Sequence, residues 1–397
     1  MKVGAVTDIN GFYKIENLPQ VKVLVQVKLI GYKTITQYVD LFTLNQKDFE
    51  METSAIEEKE VVVTGVSQAT ERHRVPIPIT IVSKTALLEG TSGNIINAIS
   101  KQPGIAEITT GGGISKPVIR GLGYNRVVVV NDGVRQEGQQ WGDEHGIEMD
   151  EFSVDRVEII KGPASLTYGS DAMAGVINFI SAPTLPEGEI KGSVLGNYQS
   201  NNNLIAYSAN IQGNKKGFIW DARYSNKSAG AYHNSKDGYI YNSGFSENSV
   251  SSIVGFNKSW GYSHLHVSYY NLNPGIVEGT RDSATGKFTK PFVLNDSTTI
   301  DTLVSTNELK NRNLNVPYQN IHHYKAVLNN SFVIGNGRLN TTIGGQQNLR
   351  KEFADPANAN KFGLYFILNT FNYNVSYHLP EKRGFKTSVG INGMQQT

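Results

Sequence analysis

The sequence predicts a mainly β protein. A small β-sandwich comes first, then a mixed α/β domain, then the N-terminal portion of a large antiparallel transmembrane β-barrel, incomplete and with about nine strands present. Three observations carry this prediction. Segments after residue 189 alternate apolar and polar residues over lengths near the roughly 9–11 residues of a tilted bilayer-crossing strand. Tight and long connections alternate between them, as in outer-membrane barrels, where short turns face one side and long loops the other. Gly (40), Tyr (19) and Phe (16) are abundant, and Asn and Ser dominate the second half, a composition suited to many strands with wet turns.

Composition also excludes. The net charge of +2 over 397 residues points neither to nucleic acid nor to an acidic substrate. With no Cys, disulfides, thiolate metal sites and Cys nucleophiles are all ruled out. No nucleophile elbow, HExxH or phosphate loop occurs. Gly111-Gly112-Gly113 lacks a following Lys-Ser/Thr and reads as a flexible loop tip. Neither an enzyme nor a cofactor is expected.

Residues 1–55 carry short β runs. GAVTDINGFYKI (4–15) reads as strand, turn, strand, with Asp8 and Asn10-Gly11 in the turn. VKVLVQVKLIGYKT (21–34) alternates Val21, Val23, Val25 and Val27 with Lys22, Leu24, Gln26 and Lys28, a half-buried strand of a small sandwich. The start lacks a basic stretch followed by an apolar one, so no leader is read there. Residues 56–75 form a charged linker around the apolar run Val61-Val62-Val63. Such a run suits strand addition to a partner's sheet edge, or it opens the next domain.

Residues 76–182 mix helix and strand. Ile95, Ile96 and Ile99 have helical spacing, with Ser92 ahead as a cap and Pro103-Gly104 as a stop. Strands are expected at 117–121 and 126–130, with Asn131-Asp132-Gly133 as a turn, and then at each end of 154–181. From there to residue 397, barrel strands are expected at 189–199, 204–213, 217–229, 248–259, 262–273, 321–334, 338–352, 363–379 and 385–396. In them Ile205, Tyr207 and Ile211 oppose Ala206, Ser208 and Asn210, while Phe371 and Tyr373 oppose Thr370 and Asn372. The polar rows suit a wet lumen and the aromatics an interface girdle. Bacterial barrels close with an even strand number, so 183–397 reads as the first part of a longer barrel.

The residues Ile119-Arg120-Gly121, Asn125-Arg126-Val127, Asn131-Asp132-Gly133, Asp155-Arg156-Val157-Glu158-Ile159-Ile160-Lys161-Gly162-Pro163, Tyr168-Gly169-Ser170 and Ala174-Gly175-Val176-Ile177-Asn178 resemble the plug domain of TonB-dependent outer-membrane receptors. Glu60, Val61, Val62, Val63, Thr64 and Gly65 then resemble the TonB box. The motifs around Thr7-Asp8, Gly11-Phe12-Tyr13 and Leu18-Pro19 resemble the carboxypeptidase-regulatory-like domain that often precedes such receptors. The resemblance implies energised uptake of a scarce nutrient, the TonB–ExbB–ExbD energy-coupling complex and outer-membrane lipid as partners, and the Gram-negative outer membrane as location. The plug and N-terminal domain would face the periplasm. It also makes Arg120, Arg156, Glu158 and Lys161 candidates for a plug–barrel latch, because charges buried against a barrel wall must be paired. Lys161 stands where the family usually has Arg, and Lys cannot form the bidentate fork.

In that family, outward plug loops help form the ligand site. Here they are Thr109–Pro117, with Gly112 and Ser115, and Gln136–Glu151, with Glu137, Gln140, Trp141, Asp143, His145 and Glu148. From 137 to 151 the second loop holds six carboxylates and one His, with no Lys or Arg. Carboxylate and imidazole suit zinc, copper or iron, so His145, Asp143 and Glu137 are candidate metal ligands, with His233, His322 and His323 as added imidazoles. Trp141 suits stacking on a flat chelate. An iron–siderophore complex is the expected ligand. Zinc, copper, haem and cobalamin are the alternatives within the superfamily, and a non-transporting adhesion barrel is the alternative outside it.

Overall fold

The structure is a computed structural model. It describes residues 5, 7–8, 11–16, 18, 20–27, 35–44, 46–51, 61–62, 70–71, 79–89, 93–139, 142–162, 165, 168–295, 298–380, 382, 385 and 387–397. The chain divides into two compact units, Met1–Val62 with Thr70–Val75, and Val63–Ala69 with Pro76–Thr397.

In the first unit β1 (Lys22–Val27) pairs antiparallel with β2 (Ile35–Asp40), from Lys22↔Asp40 to Val27↔Ile35. Val23, Val25 and Val27 are half-buried while Lys22 and Gln26 are exposed, the alternation expected of a one-sided strand. Among the described residues of 4–15 the expected turn is present but the flanking strands are not. Gly11 N–H donates to the Asp8 carbonyl (3.0 Å) and Phe12 N–H to Asp8 Oδ1 (2.9 Å). β3 (Val61–Val62) pairs with β4 (Thr70–Glu71). The remainder of the expected TonB box, Glu60, Val63, Thr64 and Gly65, lies outside the described residues.

The α/β domain is built on β5 (Ile79–Ser83), α1 (Lys84–Glu89), α2 (Ile95–Ile99), β6 (Ile105–Gly111), β7 (Ile114–Ile119), β8 (Val127–Asn131), β9 (Val134–Gln136), β10 (Val154–Lys161) and β11 (Gly175–Ser181). Five of these strands form one sheet in the order β5-β10-β11-β8-β9, and β6–β7 is a separate hairpin. β11 and β8 run parallel and are fully apolar over Val127–Val130 and Val176–Ile177, as strands covered on both faces must be. Ile95, Ile96 and Ile99 of α2 pack on Val127, Val129, Val157, Ile159 and Ile177. Each such side chain contributes about 1.5–3 kcal/mol by burial.

Two sequence expectations shift here. The α2 cap is Asn94, whose side chain accepts from Asn97 N–H at 2.9 Å; Ser92 lies outside the described residues. The strand expected at 117–121 ends at Ile119, because Arg120 (φ 50°) and Gly121 (φ 83°) turn the chain left-handed.

The wall follows in strict sequence order: β12 (Ile190–Gln199), β13 (Leu204–Lys215), β14 (Phe218–Ala229), an outer ribbon β15 (His233–Asn234) and β16 (Gly238–Tyr239), β17 (Phe245–Lys258), β18 (Gly261–Pro274), a second ribbon β19 (Thr289–Asn295) and β20 (Thr298–Leu303) with α3 (Thr306–Lys310), then β21 (Tyr318–Ile334), β22 (Gly337–Phe353), β23 (Leu364–His378) and β24 (Ser388–Gln396). Without the ribbons they make a nine-stranded antiparallel sheet. One face exposes Ile205, Tyr207, Ile211, Val254, Leu265, Val267, Leu328, Ile343, Phe371 and Tyr373. The opposite face buries Ser208, Asn210, Ser225, Gln346, Asn348, Thr370 and Asn372. A sheet that is apolar outward and polar inward is the inverse of a soluble sandwich and fits a wall standing in lipid.

Gly175 opens β11 at φ 155°, and a Cβ there would lie 2.3 Å from the Ile160 carbonyl oxygen. Gly175→Ala is expected to cost about 2–4 kcal/mol by combining strain with a backbone clash. Gly196→Ala, surrounded by open space, is expected to be silent. Denaturant unfolding of the two variants beside the parent protein checks this.

Candidate functional site at the junction of plug and wall

The α/β domain sits against the polar face of the wall, and buried charge organises the contact. Arg350 projects inward from β22, where its Nη2 donates to Glu148 Oε1 at 2.6 Å and its Nη1 to Gln319 Oε1 at 2.6 Å. Lys325 of β21 reaches Asp132 Oδ2 at 3.0 Å, and Lys227 of β14 lies 3.2 Å from Glu151 and 3.6 Å from Glu247. All three cations are at least 95% buried. Alongside them Ser225 Oγ donates to Asp150 Oδ2 (2.7 Å), Gln346 Nε2 donates to the Arg135 carbonyl (2.8 Å), and Phe152 joins an apolar cluster with Leu204, Ala229, Phe245 and Ile321. Apart from Glu247 of β17, the acids come from two places in the α/β domain, the β8–β9 turn and the loop 137–151, which a 3-10 turn at Glu151–Ser153 closes onto β10.

Burial acts on these carboxylates in two ways. For Asp132 it would raise the carboxyl, but the Lys325 ammonium, His266 and the Ser181 N–H hold it down at about 2. For Glu148 burial prevails and raises the carboxyl despite Arg350 and His145. The Glu148–Arg350 pair therefore sets register more than it adds stability, as expected where desolvation offsets attraction.

The expected ligand residues are placed as follows. Glu137 is buried and pairs with Arg135, which also holds Asp171 at 2.6 Å. Asp143 is exposed and accepts from the Tyr124 hydroxyl. The His145 ring is buried, with Nε2 3.3 Å from Glu352 Oε1 and its edge toward Phe366. Ser115 Oγ donates to Glu107 Oε2 at 2.9 Å. Gln140 and Trp141 lie outside the described residues. Gly112 is part of no flexible tip: a Cβ there would meet the Ser243 carbonyl at 3.1 Å and the Phe245 ring at 3.2 Å, and one on Gly113 would meet Phe245 Cβ at 2.9 Å. The triple glycine lets the β6–β7 hairpin pass directly beneath the wall's long connections. His322 and His323 point to opposite faces of β21, His322 to Tyr269 and Asn320, and His323 into the buried interface beside Asn348. Among the described residues no three His, Asp or Glu side chains converge on one point suited to a metal ion.

The expected latch residues lie elsewhere than foreseen. Arg120 is exposed rather than buried, and its backbone N–H donates to the Gly104 carbonyl. Lys161 Nζ donates to the Pro103 carbonyl at 2.6 Å, bracing the same turn inside the domain. Arg156 Nε donates to Glu158 Oε1 within β10 at 3.1 Å. Lys227, Lys325, Arg350 and their partners Asp132 and Glu151 were missed. The available signal was parity, since each of these cations falls on the inward side of its strand, Lys227 with Arg223 and Ser225, Lys325 with Gln319 and His323, and Arg350 with Gln346 and Asn348.

A barrel wall that carries a separate α/β domain on its inner face defines the class of plugged outer-membrane barrels. Comparison with known proteins gives the particular family. Residues 71–176 match the TonB-dependent Receptor Plug Domain, and residues 1–63 match the CarboxypepD_reg-like domain. The chain therefore carries a TonB-dependent receptor plug match with a carboxypeptidase-regulatory-like match before it and the nine-stranded wall after it, and its place is the outer membrane. It is 34% identical over 128 residues to the iron-regulated outer membrane virulence protein of Vibrio cholerae, covering 30% of this chain and 20% of that protein. It is 37% identical over 126 residues to the vitamin B12 transporter BtuB of Vibrio vulnificus, again covering 30% and 20%. In fold it is similar to the siderophore receptor PirA of Acinetobacter baumannii, with a TM-score of 0.58 at 14% identity over 80% of this chain and 47% of that one. The chain thus spans about a fifth of these curated relatives and about half of the solved receptor.

Two outcomes follow from the junction. Arg350→Met strands Glu148 in a dry site and is expected to weaken plug seating by about 3–5 kcal/mol, while adding Glu148→Leu returns most of that loss. Protease accessibility of the plug in the single and double variants measures it. Asp132, held at about 2, lies below the roughly 3.9 of an unfolded Asp. Its carboxylate therefore stabilises the docked state above about pH 4 and loses that contribution as pH falls toward 2. Plug protection in wild type is expected to fall across that window, and in Lys325→Met the fall moves to higher pH.

Proposed function

We propose that the complete protein is a TonB-dependent transporter that imports a scarce nutrient, an iron–siderophore complex, across the outer membrane. The observation that carries this reading is the seating of the plug on the inner wall through three buried cation–carboxylate contacts. A solute passes only when such contacts break, and breaking one partner of a buried pair costs about 3–5 kcal/mol. Work must therefore be supplied from outside the barrel. The TonB–ExbB–ExbD complex supplies it by pairing with the segment Glu60–Gly65, and the plug and N-terminal domain face the periplasm.

The acidic loop favours a pre-formed chelate over a bare zinc or copper ion. Glu137, Asp143 and His145 each have a protein partner, Arg135, Tyr124 and Glu352 respectively. A free ion would have to displace all three, whereas a chelate arrives with its metal already saturated and needs only a surface. Asp143, with Gln140 and Trp141 beside it in the sequence, stands as the plug's contribution to that surface, whereas Gly112 packs beneath Phe245 and Ser115 is buried on Glu107. Glu148 stands with Arg350 as part of the seat rather than the ligand set.

Deleting Glu60–Gly65 in the full-length receptor is expected to abolish uptake of a ferric siderophore while leaving surface binding of the same complex intact. Uptake that survives the deletion refutes energised transport. Growth of a gene-deletion strain under separate iron, zinc and copper starvation tests the ligand: loss confined to siderophore-bound iron supports the reading, and loss confined to zinc or copper overturns it.

A further inference from the structure

Lys116 is a fully buried lysine of the plug that forms no ion pair among the described residues. It stands on β7 directly opposite Ile108, on the same face of the β6–β7 hairpin as Ile114 and Val118. An apolar side chain would fill this place at less cost, because a buried ammonium must find acceptors. The acceptor it finds is the Gly142 carbonyl, and its Nζ lies 4.5 Å from the centre of the Tyr124 ring. Both contacts lead to one short stretch, the tip of the acidic loop.

Tyr124 opens the 3-10 turn Tyr124–Arg126 at φ 58°. A bulky side chain is uncommon in the left-handed region and stays there only where its surroundings fix it. Here its hydroxyl donates to the Asp143 side chain, and Thr110 Oγ1 donates to the Asp143 carbonyl at 3.4 Å. Lys116 and Tyr124 thus take hold of adjacent residues, Gly142 and Asp143, from the plug side. The loop next crosses β7, where Ile147 N–H donates to the Ser115 carbonyl at 3.1 Å. A Cβ on Gly146 would lie 3.0 Å from the Ser115 nitrogen, so only glycine passes this close, and its backbone freedom gives the tip a pivot. The wall adds longer contacts, with Arg350 Nη1 3.5 Å from the Glu144 carbonyl and His145 Nε2 3.3 Å from Glu352 Oε1.

We infer that Lys116 is a positioning residue for ligand recognition: from inside the plug it pins Gly142 and so fixes Asp143 where an arriving chelate meets it. The inference rests on the reading of this loop tip as part of the ligand surface. Lys116 touches no ligand itself, since it is buried beneath the tip. Without it the tip turns about Gly146 among several orientations, and the order lost beforehand has to be regained on binding. The loss therefore falls on capture and not on passage through the barrel. Met in its place fills a similar volume and leaves the Gly142 carbonyl without its donor.

Two measurements on the full-length receptor test this. Hydrogen exchange in detergent reads the tip without any ligand. Lys116→Met is expected to speed exchange across 142–147 at least about ten-fold, the worth of one charge-assisted hydrogen bond, with β8 and β10 unchanged. Lys116→Arg keeps a donor and a cation over the Tyr124 ring and is expected to exchange as wild type does. Uptake by cells, normalised to receptor in the outer membrane, then uses ferrichrome, a ferric trihydroxamate, and ferric enterobactin, a ferric tricatecholate. For the chelate that wild type imports, Lys116→Met is expected to raise the half-saturating concentration about ten-fold at an unchanged maximal rate, and Lys116→Arg to keep the wild-type value. Unchanged exchange at the tip in Lys116→Met overturns the inference, since the wall contacts then hold the tip alone. So does a fall in maximal rate without a change in half-saturation, which places Lys116 in plug movement. A loss in Lys116→Arg as large as in Lys116→Met overturns it too, by assigning the effect to packing. If wild type imports neither chelate, the failure is that of the siderophore reading, and hydrogen exchange still decides whether Lys116 pins the tip.

Discussion

Three cations that the wall turns inward, Lys227, Lys325 and Arg350, decide how the plug is held. Each stands on the buried inward side of its strand, and each would be intolerable there without an anion. The plug supplies the anions from two short segments, Asp132 in the β8–β9 turn and Glu148 to Glu151 at the end of one loop. Apolar contacts alone, such as Phe152 against Leu204 and Phe245, are non-directional and would allow several seatings. The charge pairs allow one, which is the best-attested use of buried ionic contacts. The same contacts make the seat costly to open, because a cation left in the wall without its carboxylate is a buried, unpaired charge.

This changes what the acidic loop is. Met as a string of residues, Glu137 to Glu151 looks like a metal or ligand site because carboxylates and a His cluster there. In the fold most of those groups turn toward protein: Glu137 to Arg135, His145 to Glu352, Glu148 to Arg350 and Asp150 to Ser225. Among its described residues only Asp143 and Glu144, at the tip, stay exposed. The glycine triplet beside it is likewise a clearance device under Phe245 rather than a flexible tip.

The architecture was legible in the sequence where periodicity is strong. The strand expected at 204–213 is Leu204–Lys215, that at 338–352 is Gly337–Phe353, and the inward and outward rows were assigned correctly from Ile205 and Ser208 onward. Ends were less legible, because left-handed residues such as Arg120 stop a strand without any change of hydrophobic pattern. Partners across the plug–wall junction were not legible at all. Asp132 and Lys325 lie 193 residues apart, and nothing local in either segment marks the other. Parity alone gave a hint, since a Lys or Arg on the inward side of a wall strand demands an anion within reach.

Mechanical extraction tests the central claim most directly. In the full-length receptor held in a supported membrane, the plug would be pulled from its N-terminal side by force spectroscopy, comparing wild type with Lys227→Met, Lys325→Met and Arg350→Met combined. The charge-seated plug predicts that the triple variant unseats at clearly lower force, with the barrel-unfolding peaks unchanged. An unseating force equal to that of wild type would show that apolar packing and backbone contacts hold the plug, and would contradict the account.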